Sequence, residues 1–120
     1  MKRRSALLFV LLACSFAHRA AADCMPNGSG KMVCGPPESS CMQDRYREVV
    51  CSPSGGGIAL DRYQNPVCGA GACVRDVRGD IHCSRTARGS AAIDMNAAAA
   101  CTDGCAPASA AMCVKPAPSN

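Results

Sequence analysis

Residues 73–83 of this chain read CVRDVRGDIHC, with a cysteine at each end and the turn-forming residues Asp76 and Gly79 between them. If Asp76 faces Asp80 across a short loop, the two cysteines lie directly opposite each other on paired strands. Gly79 then occupies the loop position that favours a left-handed backbone. The cysteine spacing and the glycine therefore predict the same structure, a β-hairpin closed by a disulfide.

The same unit recurs along the chain as an Asn or Asp followed seven residues later by a cysteine. The five pairs are Asn27 and Cys34, Asp44 and Cys51, Asp61 and Cys68, Asp76 and Cys83, and Asp94 and Cys101. They begin 17, 17, 15 and 18 residues apart. An Asx side chain can hydrogen-bond the backbone two residues further on and so stabilise a turn. The chain is therefore predicted to be a tandem array of hairpins.

A longer repeat of about 33 residues is superposed on this array, since residues 56–61 parallel residues 89–94. It divides the predicted cysteine-rich β-hairpin domain, residues 23–114, into modules at about 24–66 and 67–100 and a remnant at 101–114. Residues 106–112 are predicted to form a short helix. Residues 115–120, which are rich in proline, are predicted to be a flexible tail.

Disulfides must replace a conventional hydrophobic core. Residues 23–120 contain only eleven Val, Ile and Leu residues, and Tyr46 and Tyr63 are their only aromatic side chains. So little apolar surface cannot outweigh the entropy of ordering the chain. An even count of ten cysteines in so small a chain, residues 23–120, indicates a disulfide framework. The expected fold is all-β, small and disulfide-rich.

The cysteine spacing favours one set of bridges. The ten cysteines are Cys24, Cys34, Cys41, Cys51, Cys68, Cys73, Cys83, Cys101, Cys105 and Cys113. The simplest pairing is Cys24–Cys34, Cys41–Cys51, Cys73–Cys83 and Cys105–Cys113, with Cys68 and Cys101 joining the modules; Cys68 with Cys73 is a competing local pair. No C-x2-C pair is present, which argues against structural zinc and against a thioredoxin-like enzyme.

Strand alternation predicts which side chains are buried. The residues two before and six after each turn Asx share a face, and nine of the ten are apolar. These cross-strand pairs are Met25 and Val33, Met42 and Val50, Ala59 and Val67, Val74 and His82, and Ala92 and Ala100. This face is predicted to be the buried one.

Residues 1–22 have the pattern of a secretory signal peptide, with a basic start, an apolar run and a small-residue cleavage site. The apolar run is too short to span a bilayer, so no transmembrane helix is expected. Residues 11–14 also resemble a lipobox that would lipidate Cys14, a less favoured interpretation because apolar residues continue beyond it. The protein is expected to be secreted or periplasmic, in a bacterium.

Charge and composition exclude several functions. Four of the 13 basic residues lie in the signal, which leaves nine against nine acidic residues and no net charge on residues 23–120. Arginines and acids are interleaved, so nucleic acid is not an expected partner. His82 is the single histidine after the signal, and no nucleophile motif accompanies it. Neither catalysis nor a cofactor is therefore expected.

The sequence thus favours a non-catalytic binding or structural module of the cell envelope, the periplasm or the extracellular space. The most plausible contact residues for a protein or envelope ligand are Arg45, Tyr46, Arg62, Tyr63, Arg75 and Arg78, because Arg and Tyr are enriched at interfaces. One alternative is a secreted protease inhibitor or toxin-like effector that uses the arginine-rich loop 85–88. Another is a protein that binds soft metals through reduced cysteines.

Overall fold

A computed structural model describes residues 23–119, and these residues form an all-β protein of short antiparallel strands, as predicted. The strands are β1 (Cys24–Pro26), β2 (Met32–Cys34), β3 (Cys41–Gln43), β4 (Val49–Cys51), β5 (Gly57–Leu60), β6 (Pro66–Gly69), β7 (Cys73–Arg75), β8 (Ile81–Ser84), β9 (Ala91–Ile93), β10 (Ala99–Cys101), β11 (Cys105–Pro107) and β12 (Ala117–Pro118). The predicted signal and the lipobox cysteine Cys14 lie outside the described residues.

The first ten strands pair in sequence order into five antiparallel hairpins, which we number one to five along the chain. In hairpins one, two and four, the first residue of the first strand is a cysteine that faces a cysteine on the second strand directly. These are the bridges Cys24–Cys34, Cys41–Cys51 and Cys73–Cys83, all at the C-x9-C spacing. The structure therefore contains the register and the three bridges that the spacing predicts.

The five turns share one geometry. In each turn the backbone amide of the Asx donates to the carbonyl of the residue four positions later, as Asp76 does to Asp80 at 2.9 Å. The amide of the residue three positions later donates to the Asx carbonyl, as Gly79 does to Asp76 at 3.1 Å. The Asx Oδ1 also accepts two backbone amides, those of Arg78 and Asp80 in this turn at 2.9 and 3.0 Å. Turn formation is thus encoded locally in all five hairpins, since the same bonds recur at each Asx.

The left-handed position of the turn does not always carry glycine. Its residues, all with φ between 61° and 88°, are Gly30, Arg47, Gln64, Gly79 and Ala97. A non-glycine residue in this conformation is strained. The paired amides of the Asx turn and the strands on either side fix the conformation regardless of that strain.

Successive hairpins pack face to face and form two equivalent small cores. The first core contains Val33, Val49 and Cys51, and the second contains Val67, Ile81 and Cys83. In both cores the second strand of one hairpin packs against the disulfide-bearing face of the next. Each core joins two successive hairpins, the first joining hairpins one and two and the second joining hairpins three and four.

The predicted buried face is only partly correct. Val33 and Val67, which lie on it, are buried, but Val49 and Ile81 are buried as well and lie on the opposite face of their strands. On the last hairpin Ala92 and Ala100, which belong to the face predicted to be buried, are exposed. The physical reason is stacking: an inner hairpin is covered on both sides, whereas a terminal hairpin is covered on one.

Residues 105–119 do not continue the hairpin series but run back along it, and we call this segment the C-terminal strap. It meets the second strands of hairpins four, three, two and one in that order, each at a cysteine. The partners are Ala106 and Cys83, Ser109 and Cys68, Val114 and Cys51, and Ala117 and Cys34. The strap thereby satisfies strand edges that would otherwise be open.

Two predicted bridges are wrong because of the strap. The expected bridges were Cys105–Cys113 within the C-terminal remnant and a link between the modules through Cys68 and Cys101. The structure instead contains Cys68–Cys113 and Cys101–Cys105. When the strap pairs with hairpin three, Ser109 lies opposite Cys68, and Cys113 comes within bonding distance of Cys68. The Cys105 end lies next to hairpin five, where Cys101 is the nearest half-cystine in the chain.

The strap also changes the predicted C-terminal structure. The expected helix over residues 106–112 is reduced to a single turn of 3-10 helix, Ala110–Met112, because the residues before it pair with β8. The expected flexible tail is ordered by pairing with β2, and Ser119 donates its amide to the Met32 carbonyl at 3.1 Å. Within residues 23–119 no helix is long enough and apolar enough to cross a membrane.

Candidate functional site

The five Asx turns lie side by side along one edge of the stacked hairpins, and we call this edge the turn row (residues 27–31, 44–48, 61–65, 76–80 and 94–98). Turns two and three are joined by Arg45, which donates to Asn65 Oδ1 at 3.0 Å. Turns three and four are joined by Arg62, which pairs with the Asp80 carboxylate. Gly28 of turn one lies against turn two, since a Cβ there would stand 3.3 Å from the Arg47 carbonyl oxygen.

The turn row exposes the two aromatic side chains of the described residues. Tyr46 is 73% exposed and Tyr63 is 70% exposed, at equivalent positions of adjacent turns. The Arg45 guanidinium stands 5.4 Å from the centroid of the Tyr46 ring, within cation–π distance. Because the Arg45 side chain also reaches Asn65, it connects the surroundings of both tyrosines.

The structure brings together five of the six predicted contact residues and places the sixth differently. Arg45, Tyr46, Arg62, Tyr63 and Arg78 all lie on the turn row. Arg75 lies instead on strand β7, where its guanidinium donates to the Leu60 carbonyl and links hairpins three and four.

Arg62 and Asp80 hold each other on the surface of the turn row. Both side chains are about half exposed, and Arg62 Nη2 also lies 3.4 Å from the Arg78 carbonyl oxygen. An exposed pair of this kind contributes little to stability. It does orient the Asp80 carboxylate toward turn three.

Two grooves open between paired turns, a feature that could not be read from the sequence. One lies between turns one and two and encloses about 550 Å³. The other lies between turns three and four and encloses about 420 Å³. Both are lined by a valine from the first hairpin of the pair, a strap proline and a tyrosine, which comes from the second hairpin in the first groove and from the first hairpin in the second groove. Those residues are Val33, Tyr46 and Pro116 in the first groove and Val67, Tyr63 and Pro107 in the second.

Turn four contains an acid–histidine pair. Asp76 Oδ2 lies 2.8 Å from His82 Nε2, while Asp76 Oδ1 keeps the two amide bonds of the Asx turn. The hydrogen bond with His82 lowers the pKa of the Asp76 carboxyl below its ordinary value. Partial burial opposes this shift, and the amides of Asp80 and Arg78 add to it.

The lowered pKa of Asp76 predicts an acid-dependent contribution to stability. The ionised Asp76 carboxylate stabilises the folded state fully above the pKa of about 3.9 that an aspartate has in the unfolded chain. This stabilisation is lost as the pH falls through the lower pKa that Asp76 has in the folded protein. Asp76→Asn should therefore lower the thermal midpoint near neutral pH, and its difference from the wild type should shrink below about pH 4. Asparagine can still form the turn, as Asn27 does in turn one.

Thermal unfolding of the wild type and Asp76→Asn between about pH 2 and 7 measures this effect, a range that brackets the carboxyl pKa. Asp44→Asn is the matched control, because turn two has the same Asx bonds and no histidine. A difference between Asp76→Asn and the wild type that stays constant down to the lowest pH would contradict the role of the carboxylate charge.

His82 lies in the lining of two of the cavities between neighbouring turns, and neither of these linings includes serine, threonine or a free thiol. Its bond to Asp76 links strand β8 to turn four.

The cysteines offer no ligands to a metal ion in this structure. All ten cysteines among residues 23–119 are joined in five disulfides. The same residues contain no group of three or more His, Cys, Asp or Glu side chains arranged to hold a metal ion. Binding of soft metals through reduced cysteines would require free thiols, and the ten cysteines of residues 23–119 are all oxidised in this structure. Five disulfides indicate an oxidising environment, such as the periplasm or the extracellular space.

Two fully buried serines were also missed by the sequence-based prediction. Ser52 and Ser84 follow the last cysteine of hairpins two and four and are 0% exposed. Ser52 Oγ accepts the Ser40 amide at 3.0 Å, and Ser84 Oγ donates to the Thr102 carbonyl at 2.7 Å. The repeated Cys-Ser dipeptide was the available signal. These hydroxyls connect the loops that join successive hairpins.

Comparison with protein-family models, with curated proteins and with solved structures gives no match for this chain. The function is therefore inferred from the geometry of the turn row and the grooves beside it.

Proposed function

We propose that this protein is an exported, non-catalytic binding module that holds a protein partner along its turn row. One observation carries the proposal: Tyr46 and Tyr63 project from equivalent positions of adjacent turns, each about seven-tenths exposed, on a scaffold cross-linked by five disulfides. Tyrosine offers a large contact area with few rotatable bonds. A rigid scaffold lowers the entropy that binding costs.

The charges beside the tyrosines support a protein partner. Arginines accompany both tyrosines, and Arg62 is offset by Asp80, so the surface is not uniformly basic. Such a mixed surface suits a polar protein rim and not the regular phosphates of nucleic acid. The two grooves lie next to the tyrosines and give a partner's apolar side chains a place to bind.

The binding role predicts that the tyrosines dominate partner capture. Tyr46→Ala/Tyr63→Ala should reduce capture of a partner from the extracellular fraction by at least about tenfold, since interface energy concentrates in a few aromatic and arginine residues. Capture by the immobilised exported protein, followed by mass spectrometry, is the measurement. Unchanged thermal stability would show that the fold is intact, because both side chains are mostly solvent-exposed.

Met112→Ala is the control for this experiment. Met112 is 41% exposed and lies on the C-terminal strap, outside the turn row and outside the lining of the two grooves. The control should capture the partner as well as the wild type does. Equal capture by the tyrosine variant and the control would discard the turn row as the binding surface.

The inhibitor alternative receives less support from the arginine-rich loop. Arg88 pairs with Glu38, and its backbone is left-handed with φ of 64°. Arg85 donates to the Cys105 carbonyl at 3.2 Å. A loop that enters a protease cleft as a substrate does is extended and has its arginine free. An inhibition panel of trypsin-like proteases tests this alternative, and stoichiometric inhibition would revive it.

A further inference from the structure

The five hairpins have equivalent positions, so their burial can be compared directly. The residues five positions after the turn Asx are Met32, Val49, Pro66, Ile81 and Ala99. Four of them are buried or partly buried, and Val49 and Ile81 are each only 7% exposed. Met32 of the first hairpin is 48% exposed. At this second-strand position the face is therefore covered in every hairpin except the first.

The opposite face shows the reverse trend. The residues six positions after the turn Asx are Val33, Val50, Val67, His82 and Ala100. The first four are buried or partly buried, whereas Ala100 of the last hairpin is exposed, as is its cross-strand partner Ala92. This face is covered in every hairpin except the last.

The two trends together give the stack a direction. In each core, a residue six positions after the Asx of one hairpin packs against a residue five positions after the Asx of the next hairpin. These pairs are Val33 with Val49 and Val67 with Ile81. The two ends of the stack thus expose the two halves of a contact that the molecule makes twice internally. In tandem-repeat proteins, an end of this kind needs a polar cap to stay uncovered. Here the exposed residues are methionine at one end and alanines at the other.

We propose that a second copy of this chain occupies these ends, with the first hairpin of one copy packed on the last hairpin of another. Met32 has a long adaptable side chain, whereas Ala92 and Ala100 at the other end have short ones and are exposed. The contact joins two different surfaces, so it is head to tail. Such contacts propagate into chains of molecules unless the geometry closes a ring.

The size of the contact sets its strength. One hairpin face covers at most a few hundred Å² per partner, below the roughly 800 Å² of a stable complex. The strap residues Val114 and Ala108 reinforce the two internal cores, and neither packs on Met32, Ala92 or Ala100 in those cores. Association is therefore weak in dilute solution and grows where the exported protein is concentrated.

Sedimentation of the protein purified after export tests the proposal. The weight-average mass of the wild type should at least double between about 10 µM and about 1 mM, the range in which a small interface associates. Met32→Lys and Ala100→Lys should each remain monomeric over this range, because each places a charge at one end of the stack. Val77→Lys, on an exposed turn position away from both ends, should associate as the wild type does.

Mixing the two end variants distinguishes head-to-tail packing from a symmetric dimer. Met32→Lys keeps the end at hairpin five, and Ala100→Lys keeps the end at hairpin one, so an equimolar mixture should form a dimer that does not extend further. A wild type that stays monomeric at the highest concentration, or a mixture that stays monomeric while the wild type associates, would overturn the proposal. A thiol assay that finds no free cysteine in either variant confirms that both are folded.

Discussion

Replacing Cys68 and Cys113 together with alanine is expected to lower the free energy of unfolding by about 4 kcal/mol, because their bridge closes a loop of 45 residues. In the chain-entropy description, the stabilisation by a disulfide grows with the length of the loop it closes. This is the longest loop closed by any of the five bridges. Cys68 is also fully buried where the strap crosses hairpin three, so its loss weakens packing as well.

Denaturant unfolding of this variant beside Cys101→Ala/Cys105→Ala gives the comparison. The control removes a bridge that closes a loop of only 4 residues, for which about 2 kcal/mol is expected. Equal losses in the two variants would contradict the loop-length argument.

Hydrogen exchange adds a local readout of the same bridge. The amides of Cys51 and Val114, which bond each other's carbonyls at 3.0 and 2.8 Å, should lose protection when the strap is released. Protection of the turn amides should change less, since the Asx bonds that hold them are local to each hairpin.

Gly69→Ala is the second change with a large expected effect. A Cβ at this position would stand 2.2 Å from Cys83 Cβ and 2.5 Å from Cys83 Sγ. The disulfide of hairpin four packs directly on the backbone of hairpin three here, so the added methyl must force the two hairpins apart. Overpacking of a tight interior costs about 1 to 3 kcal/mol, and a clash with a disulfide places the loss at the upper end of that range.

Gly79→Ala is the matched control, because it isolates the cost of backbone conformation. Gly79 has φ of 88°, a Cβ added there would meet no neighbouring atom within 4 Å, and Ala97 already occupies the same slot in turn five. This change should cost only about 1 kcal/mol, the penalty of a left-handed alanine. If Gly69→Ala lowers the free energy of unfolding by no more than Gly79→Ala does, the close packing of hairpins three and four at Gly69 does not contribute to stability as argued.

The turns and the local bridges could be predicted because their determinants lie close together in sequence. Asp76 places its own carboxylate oxygen over the amides of Arg78 and Asp80, and that bonding fixes the loop length. Once the loop length is fixed, Cys73 must face Cys83. The same reasoning predicted three bridges and the all-β fold.

The strap could not be predicted because its strands carry no periodic signal. Its pairing segments are two or three residues long, and their Ala, Pro and Ser side chains favour no particular face. Pairing of Val114 with Cys51 joins residues far apart in the chain, so nothing near either residue announces it. The pairings of Cys68, Cys101 and Cys113 were predicted wrongly because the position of the strap leaves no local signal in the sequence.

The candidate site divides in the same way. Tyr46 and Tyr63 could be selected from sequence, because the turn geometry places the residue two after the Asx at the tip. The grooves beside them could not be, because each is formed by two hairpins and a strap residue such as Pro107 or Pro116. The contact between Arg62 and Asp80 likewise depends on how turns three and four are stacked.

The sequence by itself determined the repeating hairpins, their register and the sulfur bridges within them, because hydrogen bonds of an Asx to its own turn do not depend on the rest of the molecule. Only the tertiary structure decided which faces are covered, where the strap lies, and how Cys68 and Cys101 are bonded. Those outcomes depend on contacts between hairpins, and each hairpin is too small to bury its apolar side chains alone.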